Sequence, residues 1–165
     1  MSTRSYIGYL LPNGKVRFIY CHCSGYPANN GRTLLENYST LKSVRELVRL
    51  GSCSSIGAHL NPDPDKPHNF SNPQFDVTVA YHRDRGEDWK FVRPGTGSVE
   101  SYVGKPDFDI EFVYLFKDGK WFVSDHNDPK HRLFPLTERL CSSVSWNKHV
   151  GYRYMKKGSE DSSWA

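Results

Sequence analysis

An α+β domain, mainly antiparallel sheet built from hairpins with one or two helices packed on it, is the fold class this sequence predicts. Three observations carry that reading. Two pairs of apolar, β-favouring runs are each joined by a turn signal, Pro12-Asn13-Gly14 in one case and Lys117-Asp118-Gly119-Lys120 in the other. A single long stretch repeats its apolar residues at helical spacing. Aromatic residues make up 14% of the 165-residue chain, with ten Tyr, nine Phe and four Trp, and so ring-rich a core suits sheet better than a helical bundle.

Residues 5–23 form the first predicted hairpin. Alternation on its second strand puts Val16, Phe18, Tyr20 and His22 on one face and Arg17, Ile19, Cys21 and Cys23 on the other. After a loop holding Gly25, Pro27 and Gly31, the residues Leu34, Leu35, Tyr38, Leu41, Val44, Leu47 and Val48 recur at spacings of three and four, which predicts helix over about 33–50. Gly51 stops it, and Ser39 or Thr40 offers a cap if it divides in two, the second half lying in a basic stretch around Glu46. Pro62, Pro64, Pro67 and Pro73 forbid helix or central strand over 52–74, a loop long enough to serve as a lid or contact surface. Phe75, Val77, Val79 and Tyr81 or His82 alternate as a strand running into the charged turn RDRGED, and 93–107 reads as loop. The second hairpin spans 109–126, and a short C-terminal helix, PLTERLCSSV, is expected to dock Leu136 and Leu140 on the sheet.

Nothing divides the chain, so residues 1–155 are expected to form one domain, with 156–165 as a frayed tail. No signal-peptide core and no apolar run of about 20 residues occurs, so a location inside the cell and off the membrane is expected. In that compartment Cys21, Cys23, Cys53 and Cys141 are expected to be reduced thiols. A net charge of +4 suits an anionic partner.

Two clusters hold the reactive residue types. In the first, from Tyr20 to Pro27, three readings compete. Cys21, Cys23, Cys53 and a histidine would make a zinc ligand set, but structural zinc uses ligand pairs two to four residues apart and no second pair exists, so neither metal nor cofactor is expected. Cys21 and His22 point to opposite faces of a strand and cannot activate one another, which leaves covalent catalysis to a distant base such as His82 or His126. The third reading makes Cys21, Cys23 and Cys53 small buried hydrophobes and His22 a hydrogen-bonded residue at a strand end. The second cluster, Tyr81 to Asp88, is either an ion-paired turn, with Asp84, Glu87 and Asp88 as partners, or an anion site. As an anion site it would use Arg83 and Arg85, with Arg4, to hold phosphate, and Tyr26, Tyr81 or Trp121, beside His22, as pocket and stacking surface. His126 and His131, near Asp125 and Asp128, suggest a metal site or an acid–base pair, and turn chemistry around Asp-Pro explains them equally well, with solvated-loop residues the favoured reading. No phosphate-loop, dinucleotide-binding, zinc-protease, hydrolase-elbow, zinc-finger or RNA-recognition signature is present, so the common enzyme and nucleic-acid templates are unsupported, which counts modestly against an ordinary metabolic enzyme.

A succession of motifs resembles a family of small phage and prophage accessory proteins. It comprises Met1 to Ser5 with Ile7-Gly8, Tyr20-Cys21-His22 with Gly25-Tyr26-Pro27, Thr33 to Tyr38, Ser54 to Gly57, Tyr81 with Arg83 to Glu87, and Lys117 to Trp121. The likeness runs to about residue 140. The family pattern has an aromatic and an aspartate between His22 and Gly25, where this chain has Cys23 and Ser24, which counts against an acidic role at position 24. The resemblance implies a viral protein acting in the host cytoplasm against a host defence system. On that basis the chain is expected to inhibit by occupancy, sequestering a phosphate-bearing signalling nucleotide or blocking a nucleic-acid-handling defence complex. The alternatives are a small enzyme acting on a nucleotide or host protein with His22 as acid or base, and a protein–protein inhibitor using the loop 61–73.

Overall fold

The computed structural model describes residues 2–142. Its centre is the first hairpin, β1 (Arg4–Leu10) and β2 (Lys15–Cys21), paired antiparallel from Ser5 opposite Cys21 to Leu10 opposite Val16. The second hairpin, β6 (Ile110–Lys117) and β7 (Lys120–Asp125), turns at Asp118 and Gly119, which both take positive φ, 52° and 76°. A two-residue turn of that kind matches the right-handed twist of its strands. β6 lies parallel beside β1, so the hairpins meet edge to edge.

Short strands extend the sheet: β3 (Cys53–Ser55), β4 (Val79–Ala80) and β8 (Phe134–Pro135) complete the order β4-β3-β2-β1-β6-β7-β8. A further strand, β5 (Gly95–Ser98), pairs with the outer half of β2, Lys15 to Phe18. Most pairings are antiparallel, and the β1–β6 and β2–β3 pairings are parallel.

Strand alternation produces two cores. On one face Ile7, Tyr9, Ile19, Cys21, Phe112, Tyr114, Phe116, Trp121 and Val123 pack against α1 (Arg32–Asn37), α2 (Leu41–Arg49) and α6 (Glu138–Cys141) through Leu34, Val44, Leu47, Val48 and Leu140. On the other, Val16, Val113 and Leu115 pack against Tyr102 and Val103 of α5 (Val99–Gly104), with Tyr6, Phe18 and Tyr20 beside them. The predicted division of β2 into two faces therefore holds, as does the α+β class. The helix over 33–50 does divide: Thr40 caps α2, accepting from Ser43 N–H at 3.1 Å while the Ser43 hydroxyl accepts from Thr40 N–H.

Three local expectations are corrected. Only Val79 and Ala80 of the segment 75–84 are strand; Tyr81–Arg85 is a helical turn, α3, ended by Gly86 in the left-handed conformation, and Phe75 is 94% exposed. The turn forms because the Asp84 carboxylate reaches back to accept the Ala80 N–H at 2.8 Å, closing the backbone where a strand would continue. The segment 93–107 is β5 and α5, because Gly95 lets the chain lie against the Phe18 ring and Ser98 caps α5 by accepting from Ser101 N–H. Within 52–74, Cys53–Ser55 joins the sheet beside Cys21. The predicted C-terminal helix exists as α6, while its last two residues and the tail at 156–165 lie outside the described residues.

Candidate anion-binding cleft

The charged cluster around Arg83 is a latch. Arg83 donates from Nε and Nη2 to Asp84 at 2.9 and 3.0 Å, from Nη1 to the Leu60 carbonyl at 2.8 Å, and from Nη2 to the Thr78 carbonyl. Asp84 Oδ1 also lies 3.2 Å from His68 Nε2, and the Asp84 main-chain carbonyl accepts the Phe70 N–H. Burial alone would raise the Asp84 pKa, but the Arg83 guanidinium, the Ala80 N–H and His68 outweigh it and hold the carboxyl below its ordinary value. This network fastens the Pro-rich loop to α3, and Gln74 ties the loop to itself through the carbonyls of Asp63 and Lys66.

The other expected anion contacts are engaged as well. Arg85 pairs with Glu87 and lies over the Phe70 and Tyr81 rings, 4.3 and 4.8 Å from their centroids, while Phe70 stacks on Tyr81. Arg4 sits 3.7 Å from Asp109 on the other side of β1 from the latch segment. Trp121 is 3% exposed and donates Nε1–H to the Tyr38 carbonyl, so it is core and not a stacking surface. Tyr26 is half-buried with its ring edge-on to Phe112. Arg4, Arg83 and Arg85 with Tyr26, Tyr81 and Trp121 therefore do not converge on one pocket. His22 Nδ1 meets the Tyr20 hydroxyl at 2.6 Å, and no carboxylate partner for His22 is found among the described residues.

The cysteine cluster is packing. Cys21 and Cys53 face one another across the β2–β3 pairing as buried thiols, and burial pushes Cys21 up to about 12 and Cys53 well above its ordinary value. Cys23 is only half-buried. Asn30, fully enclosed, donates to the Cys23 carbonyl at 2.9 Å, and the Tyr114 hydroxyl donates to the Gly25 carbonyl at 2.6 Å. Among the described residues no group of three or more His, Cys, Asp or Glu is arranged to hold a metal ion, and no helix is long and apolar enough to cross a membrane.

Unpaired positive charge gathers elsewhere. Arg17, Arg45, Arg49 and Arg93 line a cavity of about 330 Å³ together with Tyr9, Val48, Trp89, Pro94 and Thr96, and no carboxylate lines it. Its volume falls within the range of small-molecule sites, about 300–1,000 Å³. Register assembles one wall: Arg17 is paired with Tyr9 on β1 and with Thr96 on β5. Arg17 shares its face with Ile19 and Cys21, but it lies where the apolar core ends and the side chain is exposed. Opposite, α2 buries Val44, Leu47 and Val48 against that face and presents Arg45 and Arg49, one turn apart, at its edge.

The third wall is a short helix, α4 (Trp89–Val92), capped by Asp88, whose carboxylate accepts the Lys90 N–H. Gly51, at φ +81°, supports it from below: a Cβ there would lie 2.5 Å from the Val92 carbonyl and 3.0 Å from the Trp89 ring. Trp89 is partly exposed, with its ring edge-on to His82 at 5.1 Å. Among the described residues, none of the four guanidiniums has a hydrogen-bond or ion-pair partner. Four forked donors converging on a cavity without a counter-charge, beside an exposed indole, can hold phosphate oxygens and stack a ring.

Sequence reasoning missed this cleft, although two signals pointed to it: Arg17 on the core side of the β2 alternation, and Lys42, Arg45 and Arg49 along one side of α2. Comparison of the chain with family models, with curated proteins and with solved structures gives no match.

Proposed function

We propose that this chain binds a small phosphate-bearing anion, a nucleotide, in the cleft between α2, β2 and α4, and acts by keeping that anion from its other users. The observation that carries the reading is the convergence of Arg17, Arg45, Arg49 and Arg93, all unpartnered among the described residues, on one cavity beside Trp89. An isolated surface arginine is ordinary, but four around one concavity repel each other and raise the local anion concentration, a cost that an anionic ligand relieves. Phosphate would bridge the guanidiniums and the base would lie on Trp89. The cleft offers no paired acid and base, and His22, the residue considered for that role, contacts Tyr20, so binding is favoured over turnover. The resemblance to phage and prophage accessory proteins suits a counter-defence inhibitor that removes a signalling nucleotide in the host cytoplasm.

A second reading, a protein–protein inhibitor, is favoured by Phe75 and Phe108, which are 94% and 92% exposed. Phe75 directly follows the Pro-rich loop, which the latch holds in place.

The test is native mass spectrometry of the protein taken from host cells, before and after release of small molecules by heat. The wild-type chain is expected to carry a nucleotide-sized anion, and a variant with Arg45→Ala, Arg49→Ala and Arg93→Ala is expected to emerge without it. These side chains are exposed, so the fold should survive. A wild-type protein that carries no anion and binds no nucleotide or pyrophosphate at millimolar concentration would refute the reading.

A further inference from the structure

The cleft does not end at Arg45 and Arg49. A second, more open concavity of about 450 Å³, lined by α2 alone through Leu41, Lys42, Arg45, Glu46 and Arg49, adjoins it and shares those two arginines. The exposed ridge of α2 thus stands between two cavities. Resting on the nucleotide-binding reading above, we propose that the ligand is a dinucleotide: two nucleosides joined through phosphate, one in each cavity, with the phosphates held along the shared ridge.

The ridge has the dimensions for this. Lys42, Arg45 and Arg49 follow one side of α2 at i, i+3 and i+7, and seven residues of helix rise about 10 Å. A mononucleotide on Trp89 needs only the first cavity and leaves Lys42 without a role, whereas successive phosphates of a short oligonucleotide would fit within this length. Arg45 and Arg49 are the residues common to both cavities, so they are placed to hold the charge common to both nucleosides.

The two cavities differ in a way that divides base from phosphate. The first is lined by arginines and no carboxylate. The second includes Glu46, which would repel a phosphate but can accept hydrogen bonds from ribose hydroxyls or an exocyclic amino group, and no ion pair of Glu46 with Lys42 or Arg49 is found among the described residues. Leu41, which lines that concavity and is 48% exposed, provides an apolar surface for a sugar or base edge. The pattern from Trp89 to Leu41 is therefore ring platform, cationic ridge, then hydroxyl acceptor with an apolar edge.

The experiment is isothermal titration of the full chain with AMP, GMP, the 5′-phosphorylated dinucleotides pApA and pGpG, and the matching ten-residue oligonucleotides, for wild type and for Glu46→Ala and Trp89→Ala. At least one dinucleotide is expected to bind about ten-fold or more tightly than its mononucleotide, as one added charge-assisted contact set would give. Glu46→Ala, which removes the acceptor, is expected to weaken the dinucleotide severalfold and leave the mononucleotide unchanged, while Trp89→Ala weakens both. Equal affinity for mono- and dinucleotides, or no effect of Glu46→Ala on the dinucleotide, would overturn the two-cavity ligand and leave the nucleotide-binding reading standing. Affinity that keeps rising to the ten-residue strand would overturn it in favour of a continuous single strand. Failure of every probe to bind would remove both proposals.

Discussion

Replacing Asp84 by Ala tests whether the RDRGED segment is a latch. The Asp84 side chain is 4% exposed and accepts three hydrogen bonds, from Ala80 N–H at 2.8 Å and from two Arg83 nitrogens at 2.9 and 3.0 Å. Removing one member of a buried ion pair costs about 3–5 kcal/mol, because the remaining charge stays desolvated. Arg83 is 24% exposed and keeps the Leu60 and Thr78 carbonyls, which moves the expected cost to the low end, about 3 kcal/mol. In a protein of this size each kcal/mol lowers Tm by roughly 2–4 °C, so a fall of roughly 6–12 °C is expected in thermal melts at pH 7. Arg85→Ala is the control: its pair with Glu87 is 46% and 38% exposed, and it should cost only about 1 kcal/mol, most of it from lost stacking over Tyr81. The Asp84 carboxyl is held below its ordinary value of 3.8 in the folded chain, so the stability it adds is complete above that value and is lost as pH falls through the folded-state pKa. The gap between wild type and Asp84→Ala should therefore begin to narrow as pH falls below about 4, where an ordinary carboxylate titrates. Equal melts for Asp84→Ala and Arg85→Ala at pH 7, or a gap that does not narrow at all between pH 5 and pH 2, would refute the latch.

Two further outcomes follow from the packing. Gly51→Ala should cost about 1–3 kcal/mol, since φ is +81° and the added Cβ would press on Val92 and Trp89; because α4 must move, nucleotide affinity measured by titration should also fall, although residue 51 touches no ligand. Thiol labelling of the native protein at pH 8, followed by peptide mapping, should modify Cys23 rapidly and Cys21, Cys53 and Cys141 only after denaturation, since those three are buried and their pKa values are raised; rapid modification of Cys21 or Cys53 would contradict the packing described.

Elements that depend on neighbours in sequence were legible. The two hairpins follow from local turn chemistry and alternation, and the division of the helix follows from a capping residue that acts within three positions. What escaped was set by distant partners. β5 is Gly-Thr-Gly-Ser, a poor strand by propensity, and it is strand because the outer half of β2 supplies open hydrogen-bonding groups and Phe18 covers Gly95. The parallel β1–β6 and β2–β3 contacts join segments about 100 and 30 residues apart, and no local signal announces such pairings. The alternation at Phe75 to Tyr81 gave way because one carboxylate, Asp84, could satisfy the backbone another way.

The same reasoning explains why the conspicuous arginines were engaged and the inconspicuous ones free. Arg83 and Arg85 stand out in sequence because charges crowd there, but crowding in a turn brings Asp84 and Glu87 within reach of short tethers, and opposite charges that close in sequence pair with each other. Arg17, Arg45, Arg49 and Arg93 are spread over nearly eighty residues, on a strand, a helix and a loop, and each looks like an ordinary solvated residue. The sheet register and the seating of α2 and α4 bring them to one cavity whose lining contains no acid. Like charges gathered by tertiary structure lack the local partner that a charged turn supplies, so the arrangement carries an electrostatic cost that a bound anion relieves.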